Sequence, residues 1–170
     1  MSWVETLLSF LRQFWPLEVV YQWQMGVRYW RGRVIGGNLE PDVYWFLPFL
    51  MHVETVNVTP DILKLWNINC TSRDGVALRV RANVRYEIFD AVAAFNNVQD
   101  YRDNLGDECR THLASVVRQA DFATLLADQA NVEREAKNAA NKVVKDWGIK
   151  VIRCSITDFI KTKDISLANV

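Results

Sequence analysis

Two imidazoles, His52 and His112, and three thiols, Cys70, Cys109 and Cys154, are all that this chain of 170 residues offers for nucleophilic or soft-metal chemistry. Hydrolysis by a Ser-His-Asp or Cys-His arrangement needs a nucleophile held beside a base, so one of the two histidines would have to be that base. Cys109 and His112 stand three apart and can share a helix face, but zinc takes a third and fourth ligand that this pair does not bring. The cysteines are odd in number, far apart and without a Cys-x-x-Cys pair, which reads as reduced, partly buried thiols in a cytosol-facing protein. Asp107 and Glu108 are adjacent on a helical stretch, so their carboxylates diverge and cannot flank one substrate bond. Neither G-x-x-x-x-G-K-[ST] nor G-x-G-x-x-G occurs, and Gly36-Gly37 runs into Asn38-Leu39 without the spacing of a phosphate cradle. These residues predict no catalytic machinery, no resident metal and no cofactor.

Charge and composition narrow the partners. Lys and Arg number twenty, as do Asp and Glu, and the balance holds locally, with nine of each sign up to Val98 and eleven of each from Gln99 onward. Nucleic-acid binding requires a local excess of cations over phosphate, so DNA and RNA are not expected partners. Aromatic residues are uneven: twelve of the twenty Phe, Trp and Tyr fall in the first fifty positions. Trp and Tyr combine an apolar body with a polar tip and favour the lipid headgroup zone or half-wet interfaces.

The elements that position these groups follow from periodicity. On a helix, Trp3, Val4, Leu7, Leu8, Phe10, Leu11, Phe14 and Trp15 occupy an arc of roughly 160°, with Glu5, Thr6, Ser9, Arg12 and Gln13 opposite and Pro16 as terminator. That separation suits a helix lying in the membrane interface, or one packed on the protein's own core. Glu5, Arg12, Gln13, Pro16 and Glu18 interrupt the apolar run too often for a spanning helix or a secretory signal. Val27, Tyr29 and Arg31 then alternate against Arg28, Trp30 and Gly32, with a turn expected at Gly36-Gly37-Asn38. Pro41 and Pro48 enclose an aromatic loop whose Tyr44, Trp45 and Phe46, with Phe49 beyond, either pack inward or dip into lipid. Strands are expected over Val53–Val58, Leu63–Cys70 and Leu78–Ile88. In the last, Arg79, Arg81 and Arg85 share the wet face, either as a solvated surface or as a docking site for an acidic partner. Helices follow over Ala91–Val98, Asp100–Gln119, Phe122–Asp128 and Val132–Trp147, the last with Val132, Ala136, Ala139, Val143 and Trp147 at helical spacing. A strand over Val151–Phe159 closes an α+β fold, a largely antiparallel sheet with helices on one face.

Gly26-Val27, Gly32-Arg33, Pro41 and Pro48-Phe49 form a series that resembles the opening of the stomatin/prohibitin/flotillin (SPFH, band 7) domain family. Ser72-Arg73-Asp74-Gly75-Val76, Tyr86-Glu87-Ile88-Phe89-Asp90 and Trp147-Gly148-Ile149-Lys150-Val151, closing with Ile156-Thr157-Asp158-Phe159, resemble later family motifs in the same order. Asp42, Arg73, Thr157 and Phe159 depart from the usual residues. The resemblance implies a membrane-attachment segment over residues 1–17, an SPFH domain over 18–160 and a short tail over 161–170 without the coiled coil that family members generally carry. It further implies a non-enzymatic, membrane-associated scaffold with its body facing the cytosol. Its expected partners are lipid, copies of itself or other SPFH proteins, and a membrane protease or channel. The alternative is a soluble module that joins or competes with a larger SPFH assembly of another chain.

Overall fold

Alternation of apolar and polar residues resolves into eight strands and four helices in a computed structural model that describes residues 17–47 and 49–162. The helix expected from Trp3 to Trp15 lies outside the described residues. The chain divides into two compact units, Met1–Thr59 and Pro60–Val170.

In the first unit, β1 (Leu17–Val19) pairs with β4 (Val43–Trp45), and a separate sheet has the order β3-β2-β5 from β2 (Gln24–Trp30), β3 (Arg33–Val34) and β5 (Met51–Asn57). Strand β2 ends at Trp30, two residues before the expected alternation does. Arg31 and Gly32 take φ of +48° and +81°, the two-residue primed turn that matches strand twist and that glycine adopts without penalty. The first turn therefore precedes Gly36. Val20, Val27, Leu39 and Val56 form the buried centre. Gly26 bridges Leu39 through two backbone hydrogen bonds of 3.1 and 2.7 Å, and a Cβ there would crowd both Leu39 and Val20 at 3.3 Å.

In the second unit, β6 (Asp61–Thr71), β7 (Ala77–Ile88) and β8 (Ile149–Lys161) form an antiparallel sheet in that order. The single expected sheet is thus three sheets, and every pairing among the described residues is antiparallel. Leu78, Val80, Ala82, Val84, Tyr86 and Ile88 of β7 are buried, as the period of two requires of a strand with one wet face. Helices α1 (Ala91–Asn96), α2 (Tyr101–Gln119), α3 (Phe122–Ala127) and α4 (Gln129–Val144) follow, α2 packing on β6 and α4 on β8. Asp90, Asp100 and Asp128 accept from first-turn amides of α1, α2 and α4. For α3 the cap is borrowed: Asp74 Oδ2 accepts from Phe122 N at 3.3 Å, while Arg73 pairs with Asp121. The Ser72–Val76 turn so docks the α2–α3 corner, and the Ser72 hydroxyl is the main influence holding the Asp74 carboxyl below its ordinary range.

The buried stripe of α4 is Val132, Ala136, Ala140 and Val144, so the expected Ala139 and Val143 flank it half-buried. A 3-10 turn over Lys145–Trp147 replaces the last expected helical residues. Side chains of α4 also close the free edge of β8. Asn141 donates to Val151 O at 2.9 Å and accepts from Val151 N at 2.8 Å. Glu133 accepts from Ile156 N and Gln129 donates to Ile156 O, both at 2.8 Å. An exposed edge invites pairing with other chains, and here amide and carboxylate groups occupy the positions of a further strand. Asn141→Leu is expected to cost about 2 kcal/mol, because Val151 loses both partners while volume is kept. Urea unfolding measures it, and an unchanged midpoint would show the edge bonds to be dispensable.

Candidate functional site

The groups with chemical potential are dispersed. His52 lies on β5 opposite Tyr29 and 3.6 Å from Glu54, exposed. His112 lies on α2 with Nε2 3.4 Å from Glu108, a contact too poorly aligned to be a hydrogen bond. Cys109 faces the core, so it does not join His112 as a ligand, and no group of three metal-ligating side chains occurs among the described residues. Burial, with Cys154 nearby, pushes the Cys109 thiol from 9.0 up to about 12; burial, then Glu133, pushes Cys154 to about 11. Both are protonated and inert at neutral pH.

Those two thiols make stability fall in alkali. Each binds its proton more tightly folded than unfolded, so its contribution is full below pH 9 and is lost as pH climbs toward 11 and 12. From pH 8 to pH 10 the pair is expected to cost about 3 kcal/mol. Tyr86, raised to about 12 by burial, acts in the same direction at higher pH. Chemical unfolding at several pH values tests this, and Cys109→Ala with Cys154→Ala should flatten the slope even if absolute stability drops.

A different feature gathers on the first unit. The β1–β4 register sets Leu17 against Trp45 and Val19 against Val43, and side chains of such cross-strand pairs share a face. All four are in water: Leu17 is 39% exposed, Val19 43%, Val43 54% and Trp45 56%. Glu18 and Tyr44 occupy the other face, where the Tyr44 hydroxyl donates to Glu40 O at 2.9 Å. Trp45 and Phe49 are thus exposed, while Tyr44 and Phe46 are half-buried. Phe49 is 88% exposed in a turn closed by Leu50 N and Met51 N donating to Leu47 O, at a φ of +74°. A bulky residue in that region carries backbone strain, which concentrates at functional sites. Tyr21 and Trp23 form a further exposed pair, stacked at 4.9 Å with rings 2° from parallel. Leu17, Val19 and Val43 were not among the expected contacts, although the apolar-polar-apolar triplets Leu17-Glu18-Val19 and Val43-Tyr44-Trp45 carry the signal. Trp3, Val4, Leu7, Leu8, Phe10, Leu11, Phe14 and Trp15, expected on the lipid side of a helix, lie outside the described residues.

On the second unit, Arg79, Arg81 and Arg85 sit on the outward face of β7. Arg79 and Arg85 are exposed; Arg81 is half-buried with its guanidinium 5.7 Å from the ring centre of Trp66.

The SPFH domain / Band 7 family matches residues 18–168. A stomatin homolog of Pyrococcus horikoshii is 25% identical over 142 residues, which cover 84% of this chain and 53% of that protein. Mechanosensory protein 2 of Caenorhabditis elegans is 24% identical over 166 residues, 92% of this chain and 34% of that one. An uncharacterized protein of Methanocaldococcus jannaschii is 21% identical over 171 residues, covering 99% and 85%. The chain spans about half the length of the first curated relatives it matches. The motifs from Gly26-Val27 to Ile156–Phe159 all fall inside the matched span, and the chain belongs to the SPFH domain / Band 7 family.

Proposed function

We propose that this SPFH protein is a scaffold held at a membrane surface, without catalysis of its own, that organises lipid microdomains or regulates membrane complexes such as proteases through self-association. The observation that carries this reading is the row Leu17, Val19, Val43 and Trp45, an apolar face left in water. Contiguous apolar surface rimmed by polar residues marks contact with lipid or protein. Residues 1–17, with the one-sided arrangement of Trp3 to Trp15, add a second apolar element to the attachment, and residues 18–160 form the body that faces the cytosol. No helix among the described residues is long and apolar enough to cross a membrane. The relatives named as stomatins support placement in this functional class.

Insertion of an apolar face depends on buried area more than on anionic lipid. The test is co-sedimentation of the intact chain with phosphatidylcholine vesicles, with and without added phosphatidylserine. Binding to both is expected. A chain that stays in the supernatant with both, keeps its size in detergent and pulls down a longer SPFH protein would sink the proposal and assign the face to protein.

A further inference from the structure

The second unit carries a cationic surface of its own, apart in sequence from the apolar row of β1 and β4. Register places Lys64 of β6 beside Asn83 of β7 and Ser155 of β8, Arg79 between Asn69 and Ile160, and Arg85 between Ile62 and Arg153. One face of the sheet therefore holds Arg79, Arg81, Arg85, Lys64 and Arg153 in an area three strands wide. The acids on this face are Glu87, taken by Lys150 at 3.0 Å, and Asp158, across from Arg81. Among the described residues none of the five cations forms an ion pair, and Arg81 Nε is buried without a hydrogen-bond partner. Most telling, Arg85 and Arg153 are directly opposed across two strands. Like charges so placed destabilise a sheet, and no carboxylate bridges them.

We propose that this face docks an acidic polypeptide segment of a partner protein. Four of the five cations are arginines, whose planar forks accept carboxylates in bidentate fashion, and a bridging carboxylate would relieve the Arg85/Arg153 repulsion. Trp66 stands exposed on the β6 bulge, next to Asn67 at a φ of +56°, with Arg81 against its ring. Trp and Arg are the residue types that dominate binding energy at protein interfaces, and the neutral donors Asn69, Asn83 and Ser155 suit a polypeptide backbone. Residues two apart on a strand lie about 7 Å from each other, so Asp or Glu at alternate positions of an extended segment would meet Arg79 and Arg81 together. A bilayer fits less well, because a twisted three-stranded sheet is not planar and the Trp66 ring is occupied by a guanidinium.

The experiment selects short random peptides displayed on phage against the intact chain at low salt. Enrichment of sequences with several Asp or Glu is expected. A synthetic copy of a selected peptide should bind about tenfold more weakly to Arg85→Glu. That variant turns a like-charge cross-strand pair into an opposite-charge one, so its melting midpoint should hold or rise by about 2 °C, which separates lost docking from lost folding. Arg81→Lys keeps the charge but not the fork and should give an intermediate loss. Peptides without acidic enrichment, or equal binding to Arg85→Glu, overturn the proposal. So does binding to phosphatidylserine vesicles that Arg85→Glu abolishes, which would assign the face to lipid.

Discussion

Replacing Gly148 by alanine is expected to remove about 4 kcal/mol of stability, a loss large enough to unfold much of a marginal domain at body temperature. Gly148 sits at φ +70° and ψ +20°, where an alanine pays about 1 to 2 kcal/mol for the left-handed conformation alone. The larger part is steric. A Cβ there would lie 2.2 Å from the carbonyl oxygen of Asp90, 2.8 Å from its Cβ and 3.0 Å from its carbonyl carbon. Asp90 cannot retreat cheaply. Gly148 O accepts from Phe89 N at 2.9 Å and from Asp90 N at 3.2 Å, and the Asp90 side chain caps α1 through Ala93 N at 3.1 Å. Gly75→Ala is the control, since Gly75 has φ +81° but open space around its Cβ, and should cost only the conformational part. Denaturant midpoints for both variants decide the matter. Equal losses would show that the Asp90 contact contributes nothing.

That contact also brings together two motifs distant in sequence, Tyr86–Asp90 and Trp147–Val151. They touch in the fold, and both could be read from sequence because each is local: an alternating strand end in one case, a helix stop followed by a strand in the other. Strand β7 was legible over its whole length because one side is packed and the other wet, which forces a period of two on twelve residues. The helices of the second unit were legible for the corresponding reason at their own period, although the α4 stripe falls one residue from the expected Ala139 and Val143, since Ala140 and Val144 complete a spacing of four.

What escaped was whatever depends on pairing across long separations. Strand β4 hid between Pro41 and Pro48, where its three residues read as loop, and only register with Leu17–Val19 makes it a strand. The division into three sheets is likewise a matter of partners, not of local pattern. Arg31 at a positive φ defeated the turn assignment because arginine gives no local sign of that conformation. The apolar face was half legible for the same reason. Aromatic crowding pointed to Trp45, but Leu17 and Val19 join it through strand pairing alone. On the cationic face, Arg79, Arg81 and Arg85 were visible as alternate residues of one strand, while Arg153 and Trp66 arrive from neighbouring strands.

Val43→Asp combined with Trp45→Asp is expected to weaken binding to phosphatidylcholine vesicles by about a hundredfold while leaving the fold nearly as stable as before. Both side chains are more than half exposed already, so little packing is lost when they are replaced. Moving the exposed part of the tryptophan and the valine out of water would be worth about 5 kcal/mol at full burial. Partial insertion into the interface leaves roughly half of that, or about two decades in affinity. Two carboxylates at the same place also resist dehydration, which pushes the effect in the same direction. Leu126→Asp on α3 serves as the control, because Leu126 is an exposed apolar residue that belongs to the second unit. If the double variant sediments with vesicles as the unmodified chain does, the β1–β4 face is not the lipid contact. If Leu126→Asp weakens binding as much, the effect is one of general hydrophobicity and the face has no special part in it. Loss in the double variant alone, with an unchanged melting midpoint, would tie attachment to a surface assembled from two short strands, and so to the fold of this unit as well as to its aromatic content.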